Sequence, residues 1–155
     1  MSQLQASPAD VASPNALVHA LYECVSFVPN GKSNWARART LMAPGGMLIP
    51  RKMGQPYEVM SIDRFIAYAE KVWDENKLVP EGFYEIEASN KTERFGNVAH
   101  VFSTYLSFFK KGDATPFERG INSIQAYFDE GRWWCLTVLW DIESDGLPIP
   151  AKYLP

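Results

Sequence analysis

Two residues of this chain combine a side-chain type suited to acid–base catalysis with a position in a predicted strand. His100 lies in the middle of an apolar run, where its imidazole could act as a general base. Asp141 closes the last apolar run, and its carboxylate could take a proton from a bound molecule. For both residues a structural role is the simpler interpretation. His100 could merely pack against a partner subunit, and Asp141 could pair with Arg119 or with solvent.

A second set of polar residues could orient a ligand without catalysing any reaction. Neutral hydroxyl and amide groups that converge in an apolar cavity hydrogen-bond the polar end of a small molecule. The simpler alternative is that each of these groups satisfies the backbone or solvent. The predicted ligand-binding residues, which include one from a helix and one tryptophan, are Tyr22, Ser103, Tyr105, Asn122, Trp133 and Thr137.

Other chemistries are disfavoured by the sequence. Cys-x-x-Cys, His-x-x-x-His and clustered carboxylates are all missing, so we predict neither a metal nor another cofactor. Gly31-Lys32-Ser33 imitates the end of a P-loop but lacks the upstream glycine. The formal net charge is −3, and the strongest basic cluster is Lys110-Lys111, which argues against a nucleic-acid partner.

The compartment can also be predicted. No apolar run approaches the roughly 18 residues that span a bilayer, so no membrane association is expected. Met1 to Asp10 lacks the basic and apolar regions of a secretory signal. Cys24 and Cys135 stand in apolar patterns typical of buried free thiols. We therefore expect a cytoplasmic protein.

Three helices and then a set of strands must position these side chains. Ser13-Pro14 predicts the start of the first helix, Ser33 or Asn34 could cap the second, and Ser61 could cap the third. Helices followed by an antiparallel meander predict the α+β class. The predicted strands are 47–49, 83–94, 97–110, 117–128 and 132–141. The predicted organisation is a flexible N-terminus at 1–12, one domain at 13–143 and an extended Pro-rich tail at 144–155.

The final hairpin predicts both a pocket and an interface. With Glu130-Gly131 at the turn, the predicted pairs are Phe128 with Trp133, Ala126 with Cys135, Ile124 with Thr137 and Asn122 with Leu139. The face with Asn122, Thr137 and an inward Asp141 would line the pocket. A one-residue slip would change which residues pair. The other face, with His100 on its side, carries the residues predicted to form a dimer interface, namely Ser123, Gln125, Tyr127, Trp134, Leu136, Val138 and Trp140.

Four short motifs occur in a recognisable order: Trp35-Ala36-Arg37-Ala38-Arg39 with Ala43-Pro44, then Asn97-Val98-Ala99-His100-Val101, then Arg119-Gly120, then Gly131-Arg132-Trp133. Together they resemble the nuclear transport factor 2-like superfamily, also called SnoaL-like or ketosteroid-isomerase-like. Uncharacterised bacterial members also share the Pro148-Ile149-Pro150 tail. The resemblance implies a cone-shaped α+β roll, in which a curved, mostly antiparallel sheet wraps three helices around a pocket. It also implies a homodimer that packs sheet against sheet.

The first two helices also resemble scytalone dehydratase, but the catalytic residues of that enzyme have no counterparts here. Its loop Tyr-Asp pair falls on Asn30-Gly31, and its pocket histidines fall near Gly82 and Ser107. Only Asn122 matches a polar pocket position. Ketosteroid-isomerase-like chemistry needs a carboxylate base and a tyrosine-plus-acid oxyanion hole, and Asp141 is the one strand carboxylate predicted to face inward.

The fold therefore leaves two functions open, since it hosts isomerases, dehydratases, cyclases, hydrolases and binding modules. The first is a small-molecule-binding protein whose partly apolar pocket, roughly 300 Å³ or more, holds an apolar or carbonyl-bearing molecule. Such a pocket could also carry isomerase-, cyclase- or lyase-like acid–base activity. The alternative is a non-catalytic homodimerisation or scaffold module, with an interface above about 1,000 Å².

Overall fold

The computed structural model describes residues 5–155, which form an α+β fold. The helices precede the long strands, as predicted, and a short fourth helix and a 3-10 turn are added to the predicted elements. The elements are α1 (Pro14–Val25), α2 (Trp35–Leu41), β1 (Met42–Ile49), α3 (Ile62–Glu75), α4 (Leu78–Glu81), β2 (Tyr84–Phe95), β3 (Val98–Phe108), β4 (Glu118–Asp129), β5 (Arg132–Ile142) and the 3-10 helix Ala151–Tyr153.

The starts of the three main helices are fixed by local side-chain caps. Ser13, Asn34 and Ser61 each accept a hydrogen bond from the backbone N–H three residues later, at 3.0, 3.1 and 3.2 Å. Each bond satisfies a donor that a helix N-terminus leaves without a partner. Asn34 rather than Ser33 caps α2, because the Ser33 hydroxyl donates to the Val25 carbonyl. Within residues 5–155, no helix is long and apolar enough to cross a membrane.

The five strands form one curved, mixed sheet in the order β1-β5-β4-β3-β2. Only β1 runs parallel to its neighbour. The helices pack on one side, the inner face, and the opposite side is the outer face. Strand β1 begins five residues earlier than predicted, because an irregularity between Met42 and Met47 accommodates the Pro-Gly-Gly segment inside the strand. The core lies between the helices and the inner face and includes Leu17, Leu41, Met60, Val101 and Ile124.

The predicted register of the last hairpin is wrong beyond Cys135. Ala126 pairs with Cys135 as predicted, but a bulge at Leu136 shifts the later pairs by one residue. Gln125 therefore opposes Thr137, and the remaining pairs are Ile124 with Val138, Asn122 with Trp140 and Ile121 with Asp141. Since side chains alternate along a strand, the extra residue exchanges the faces of everything after it. Val138 and Trp140 lie on the inner face, and Thr137, Leu139 and Asp141 lie on the outer face.

Both ends of the described chain are docked. Of the segment predicted to be flexible, residues 1–4 lie outside the described residues. In the remainder, the Val11 carbonyl accepts a bond from the Trp133 amide at 3.0 Å. Asp10 pairs with Arg37 at 2.8 Å, and that hydrogen bond lowers the pKa of the Asp10 carboxyl. Residues 10 and 11 of the segment predicted to be flexible therefore contact the folded domain.

The tail lies across part of the outer face. The Thr104 hydroxyl donates to the Tyr153 carbonyl at 2.6 Å, and the rings of Phe102 and Tyr153 meet edge to face at 5.0 Å. Ile149 is buried. The prolines predicted a tail that is extended throughout. Residues 151–153 instead form a turn of 3-10 helix.

Candidate functional site

A cavity of about 720 Å³ lies between the helices and the inner face. Its wall is mostly apolar and rich in aromatic rings, with the indoles of Trp35 and Trp73 stacked 5.3 Å apart. The ring of Phe65 meets both Trp35 and Trp140 edge-on. Trp140 reaches this wall only because of the bulge in β5. The volume is within the range of cavities that hold small molecules.

One part of the wall is polar, and strand pairing explains how it forms. Glu85, Ser107 and Glu118 are aligned across β2, β3 and β4, so both carboxyl groups point to the inner face. A bulge between Glu87 and Ser89 gives β2 the register that turns Glu85 inward. We call five of the polar residues that line the cavity the polar wall: Tyr22, Glu85, Tyr105, Glu118 and Asn122.

The surroundings of Glu85 favour the neutral, protonated form of its carboxyl group. The hydroxyl of Ser107 donates to its Oε2 at 3.0 Å. Burial raises the pKa of the Glu85 carboxyl to about 8; the Ser107 hydrogen bond opposes part of that rise, and the charge of Glu118 adds to it. A carboxyl whose pKa lies near the ambient pH can both donate and accept a proton.

Glu118 is held by Tyr105. The tyrosine hydroxyl donates to Glu118 Oε1 at 3.1 Å. Burial raises the pKa of the Glu118 carboxyl, and this hydrogen bond partly opposes the rise. The ring of Tyr105 can lie across β4 only because residue 120 is glycine. A Cβ on Gly120 would lie 2.7 Å from the tyrosine hydroxyl and 2.2 Å from the carbonyl oxygen of Asp141.

The hydroxyl of Tyr22 belongs to a chain of hydrogen bonds with a fixed direction. The Asn122 amide donates to the Tyr22 oxygen at 2.9 Å, and Tyr22 and Ser103 are 2.7 Å apart. Ser103 donates to a carboxylate oxygen of Glu87. Because Ser103 uses its only hydrogen there, Tyr22 must be the donor to Ser103. Burial raises the pKa of Tyr22 above its usual value, so the phenol stays protonated.

The solved structures that resemble the fold described above include two bacterial proteins. An NTF-2-like protein of unknown function from Silicibacter pomeroyi DSS-3 is 15% identical with a TM-score of 0.57, over 85% of this chain and 94% of that chain. A putative calcium/calmodulin-dependent protein kinase II association domain from Xanthomonas campestris is 14% identical with a TM-score of 0.57, over 94% of this chain and 99% of that chain.

The chain has the nuclear transport factor 2-like fold. The fold predicted from the sequence is thereby confirmed, and it is compatible with a ligand-binding or catalytic module. No protein-family model and no curated protein sequence matches the chain. The comparisons do not show the predicted similarity to scytalone dehydratase.

The cavity of this nuclear transport factor 2-like fold brings together part of the predicted ligand-binding set. Tyr22, Tyr105 and Asn122 line it, and Ser103 supports them from behind through Tyr22. Trp133 is only 2% exposed and packs in the core against Phe128. The β5 bulge places Thr137 on the outer face, where its hydroxyl donates to Gln125.

The two predicted catalytic candidates lie away from the cavity. His100 is on the outer face, as its strand position predicts, with Nε2 3.0 Å from the Ser123 hydroxyl. The inward orientation predicted for Asp141 is wrong, because the bulge turns it outward, where Arg51 Nε lies 3.1 Å from its Oδ1. Arg119, the other predicted partner of Asp141, pairs with Glu143.

The predicted interface residues are divided between the two faces. Val138 is 9% exposed and, like Trp140, lines the cavity, so neither side chain is available on the outer face. Leu136 is the bulged residue. The other four residues, which remain on the outer face, are Ser123, Gln125, Tyr127 and Trp134.

Sequence analysis missed the two carboxyls of the polar wall. Glu118 could have been found, because it alternates in phase with Asn122, which was predicted to face inward. Glu85 could not, because regular pairing from the turn would place it opposite Phe108 on the outer face, and only the bulge turns it inward. Within residues 5–155, no three His, Cys, Asp or Glu residues are grouped so that they could hold a metal ion.

Proposed function

We propose that the chain binds a small, largely apolar molecule in the cavity, with the ligand's polar group at the polar wall. One observation carries this proposal: two carboxyl groups line an aromatic cavity of about 720 Å³. Carboxyl groups are costly to bury away from water unless a partner meets them. A bound polar group would meet them, while the aromatic rings contact the rest of the ligand.

The same groups support acid–base activity of the isomerase, cyclase or lyase type. Glu85 would be the residue that donates or accepts a proton, since its pKa of about 8 lies near neutral pH. As an acid it could donate to a carbonyl oxygen. Tyr105 would position Glu118 through their 3.1 Å hydrogen bond.

The proposal is tested by partly filling the cavity. The probe is 2-naphthol, which has a two-ring apolar body and one hydroxyl, and its binding is measured by calorimetry. Val72 lines the cavity from α3, and Ala67 is exposed on the same helix. We expect Val72→Phe to weaken binding at least tenfold and Ala67→Phe to leave it unchanged, with circular dichroism showing both variants folded. Equal binding by all three proteins, or no binding by the wild type, would reject the proposal.

Homodimerisation through the outer face is a second candidate, and the exposed Leu139 favours it. This side chain is 39% exposed in a groove that also contains Phe102, Ile121 and Leu147, on a face that the helices do not cover. Apolar residues in such a patch are typical of protein interfaces. Sedimentation equilibrium should show a dimer at micromolar concentration, which Leu139→Arg disrupts and the control Ala67→Arg leaves intact. A wild-type monomer under those conditions would contradict this candidate.

We also propose a cytoplasmic location. Cys24 and Cys135 are free and buried, and burial raises their pKa values to about 11 and about 12. Thiols of this kind stay protonated and unreactive, which suits a reducing compartment. A fluorescent fusion found outside the cytoplasm would contradict this location.

A further inference from the structure

The polar wall narrows the chemistry of the ligand. We infer that the group bound there is a protonated amine, so that the ligand is a lipophilic amine with an aromatic or aliphatic body. This inference rests on the proposed function, which leaves the polar group of the ligand open. Three features support it: the unused hydrogen-bonding atoms of the polar wall, the absence of a cation paired with its carboxyls, and the aromatic rings that line the same cavity.

Hydrogen-bond acceptors at the polar wall outnumber the donors left for a ligand. The hydroxyl hydrogens of Tyr22, Tyr105 and Ser107 are already given to Ser103, Glu118 and Glu85. Apart from the O–H of a neutral Glu85, what remains open is mostly oxygen lone pairs, including those of both carboxyls. An ammonium group brings three donors and can satisfy several of these lone pairs at once.

The Asn122 amide adds an acceptor of a different chemical type. Its side chain is 7% exposed, and its Nδ2 donates to Tyr22. No residue within 5–155 donates a hydrogen bond to its Oδ1, although Asn122 lines the cavity. The oxygen is accessible from the cavity, so it is open to a donor from a ligand. An N–H group of the ligand would satisfy it.

The carboxyls of the polar wall also have no cation of their own. Among residues 5–155, the ion pairs do not include Glu85 or Glu118. The two cationic residues on the cavity wall are already paired, Arg51 with Asp141 and Lys52 with Glu58. Two carboxyls that line the cavity without a counter-ion can pair with a positively charged ligand, whose charge would favour their ionised form.

Aromatic rings line the same cavity as the carboxyls. Phe83 precedes Glu85 by two residues, and Phe117 directly precedes Glu118. The rings of Phe83 and Phe117 are 6.2 Å apart, and Phe109 stacks on Phe117 at 4.4 Å. All three line the cavity. The faces of aromatic rings attract an ammonium group more strongly than a neutral hydroxyl or ketone.

Binding of an amine would change the protonation of the site. At neutral pH the ligand arrives as an ammonium ion and Glu85 as a neutral acid. The O–H bond of the acid breaks, its proton passes to solvent, and the resulting carboxylate pairs with the intact ammonium. Affinity should therefore rise between pH 6 and pH 8 and fall again near the amine's own pKa of about 10. A ketone, which accepts a hydrogen bond from the neutral acid, should show no such rise.

The test compares three probes that share one apolar body: 2-naphthylmethylamine, 2-naphthylmethanol and 2-acetonaphthone. Calorimetry on the full chain at pH 6, 7 and 8, in buffers of different ionisation enthalpy, gives affinity and proton release. We expect the amine to bind at least tenfold more tightly than the other two at pH 8, with net proton release at pH 7. Glu85→Gln should remove this preference. Glu93→Gln, an exposed position on the same strand, should keep it.

The outcomes separate the inference from the proposal beneath it. If the alcohol or the ketone binds the wild type as tightly as the amine, the ligand class is wrong while the proposed function stands. If no probe binds the wild type, both fail. Glu118→Gln is the second variant in case Glu85→Gln does not fold. If the preference for the amine survives in every folded polar-wall variant, the inference is overturned.

Discussion

Strands β2 and β5 each contain a bulge, and the two bulges turn different kinds of side chain into one cavity. The β5 bulge brings in Val138 and Trp140, which gain stability by leaving water. The β2 bulge brings in Glu85, whose burial costs stability. The first bulge is explained by packing alone. The second has no such explanation, and features of that kind are expected where a protein serves a function.

The largest expected effect tests the β5 bulge. Val138→Asp places a charge in the core and should lower the free energy of unfolding by about 3 kcal/mol or more. The matched control is the next residue, since Leu139 is on the outer face. Leu139→Asp should cost about 1 kcal/mol or less. Urea unfolding at a concentration where the protein is monomeric measures both. A larger loss of stability for Leu139→Asp than for Val138→Asp would mean that β5 has no bulge and pairs with β4 in regular register.

The next largest effect tests how much the burial of Glu85 lowers the free energy of unfolding. Its folded pKa of about 8 exceeds the unfolded value of 4.5, so the folded state holds the proton more tightly between these values. The free energy of unfolding therefore falls as the pH rises from 4.5 to about 8. Glu85 causes no further change with pH below or above that window. Replacing Glu85 by Gln should raise the free energy of unfolding at pH 9 by on the order of 2–4 kcal/mol and leave it little changed at pH 4.

The control for this pH dependence is Glu93→Gln, which removes the same charge from an exposed position on β2. Its unfolding profile should follow that of the wild type at every pH. Denaturant unfolding from pH 4 to pH 9 provides the comparison. If Glu85→Gln and Glu93→Gln shift the profile equally, the burial of Glu85 has no energetic consequence.

The smallest effect concerns the close approach of Tyr105 to β4. Gly120→Ala should lower the free energy of unfolding by about 1–3 kcal/mol, because the added methyl group collides with the ring and with a carbonyl oxygen. Gly146 has open space around its Cα, so Gly146→Ala should have almost no effect. Thermal unfolding of the two variants gives the difference. Equal melting temperatures would mean that the ring does not need the glycine.

The features that were predicted correctly from the sequence are those that depend on residues close together in the chain. The caps at Ser13 and Ser61 were predicted because a cap depends on a few neighbouring residues. The α+β class was predicted from the order of periodic segments, which also needs no long-range contact. The pairing of β4 with β5 was correct as far as Cys135, where the turn still determines it.

The bulges could not be predicted because tertiary packing selects them. Nothing around Leu136 or Ala88 distinguishes a bulged residue from a regular one, since either would suit a strand. One extra residue is enough to change the face of every later side chain. The predicted roles of Thr137, Asp141 and Trp140 all depended on that one position, whereas Asn122 and Tyr105 lie on strands that stay in register.

The tryptophans of the cavity wall give the protein an optical signal of its own. Trp35, Trp73 and Trp140 are three of the five indoles in the chain, and all three border the space that a ligand would enter. Trp133 and Trp134 lie elsewhere and supply a constant background. Emission from the first three depends on the polarity around their rings, so occupation of the cavity should change the colour and intensity of intrinsic fluorescence. Screening for natural ligands can therefore proceed without any dye or label.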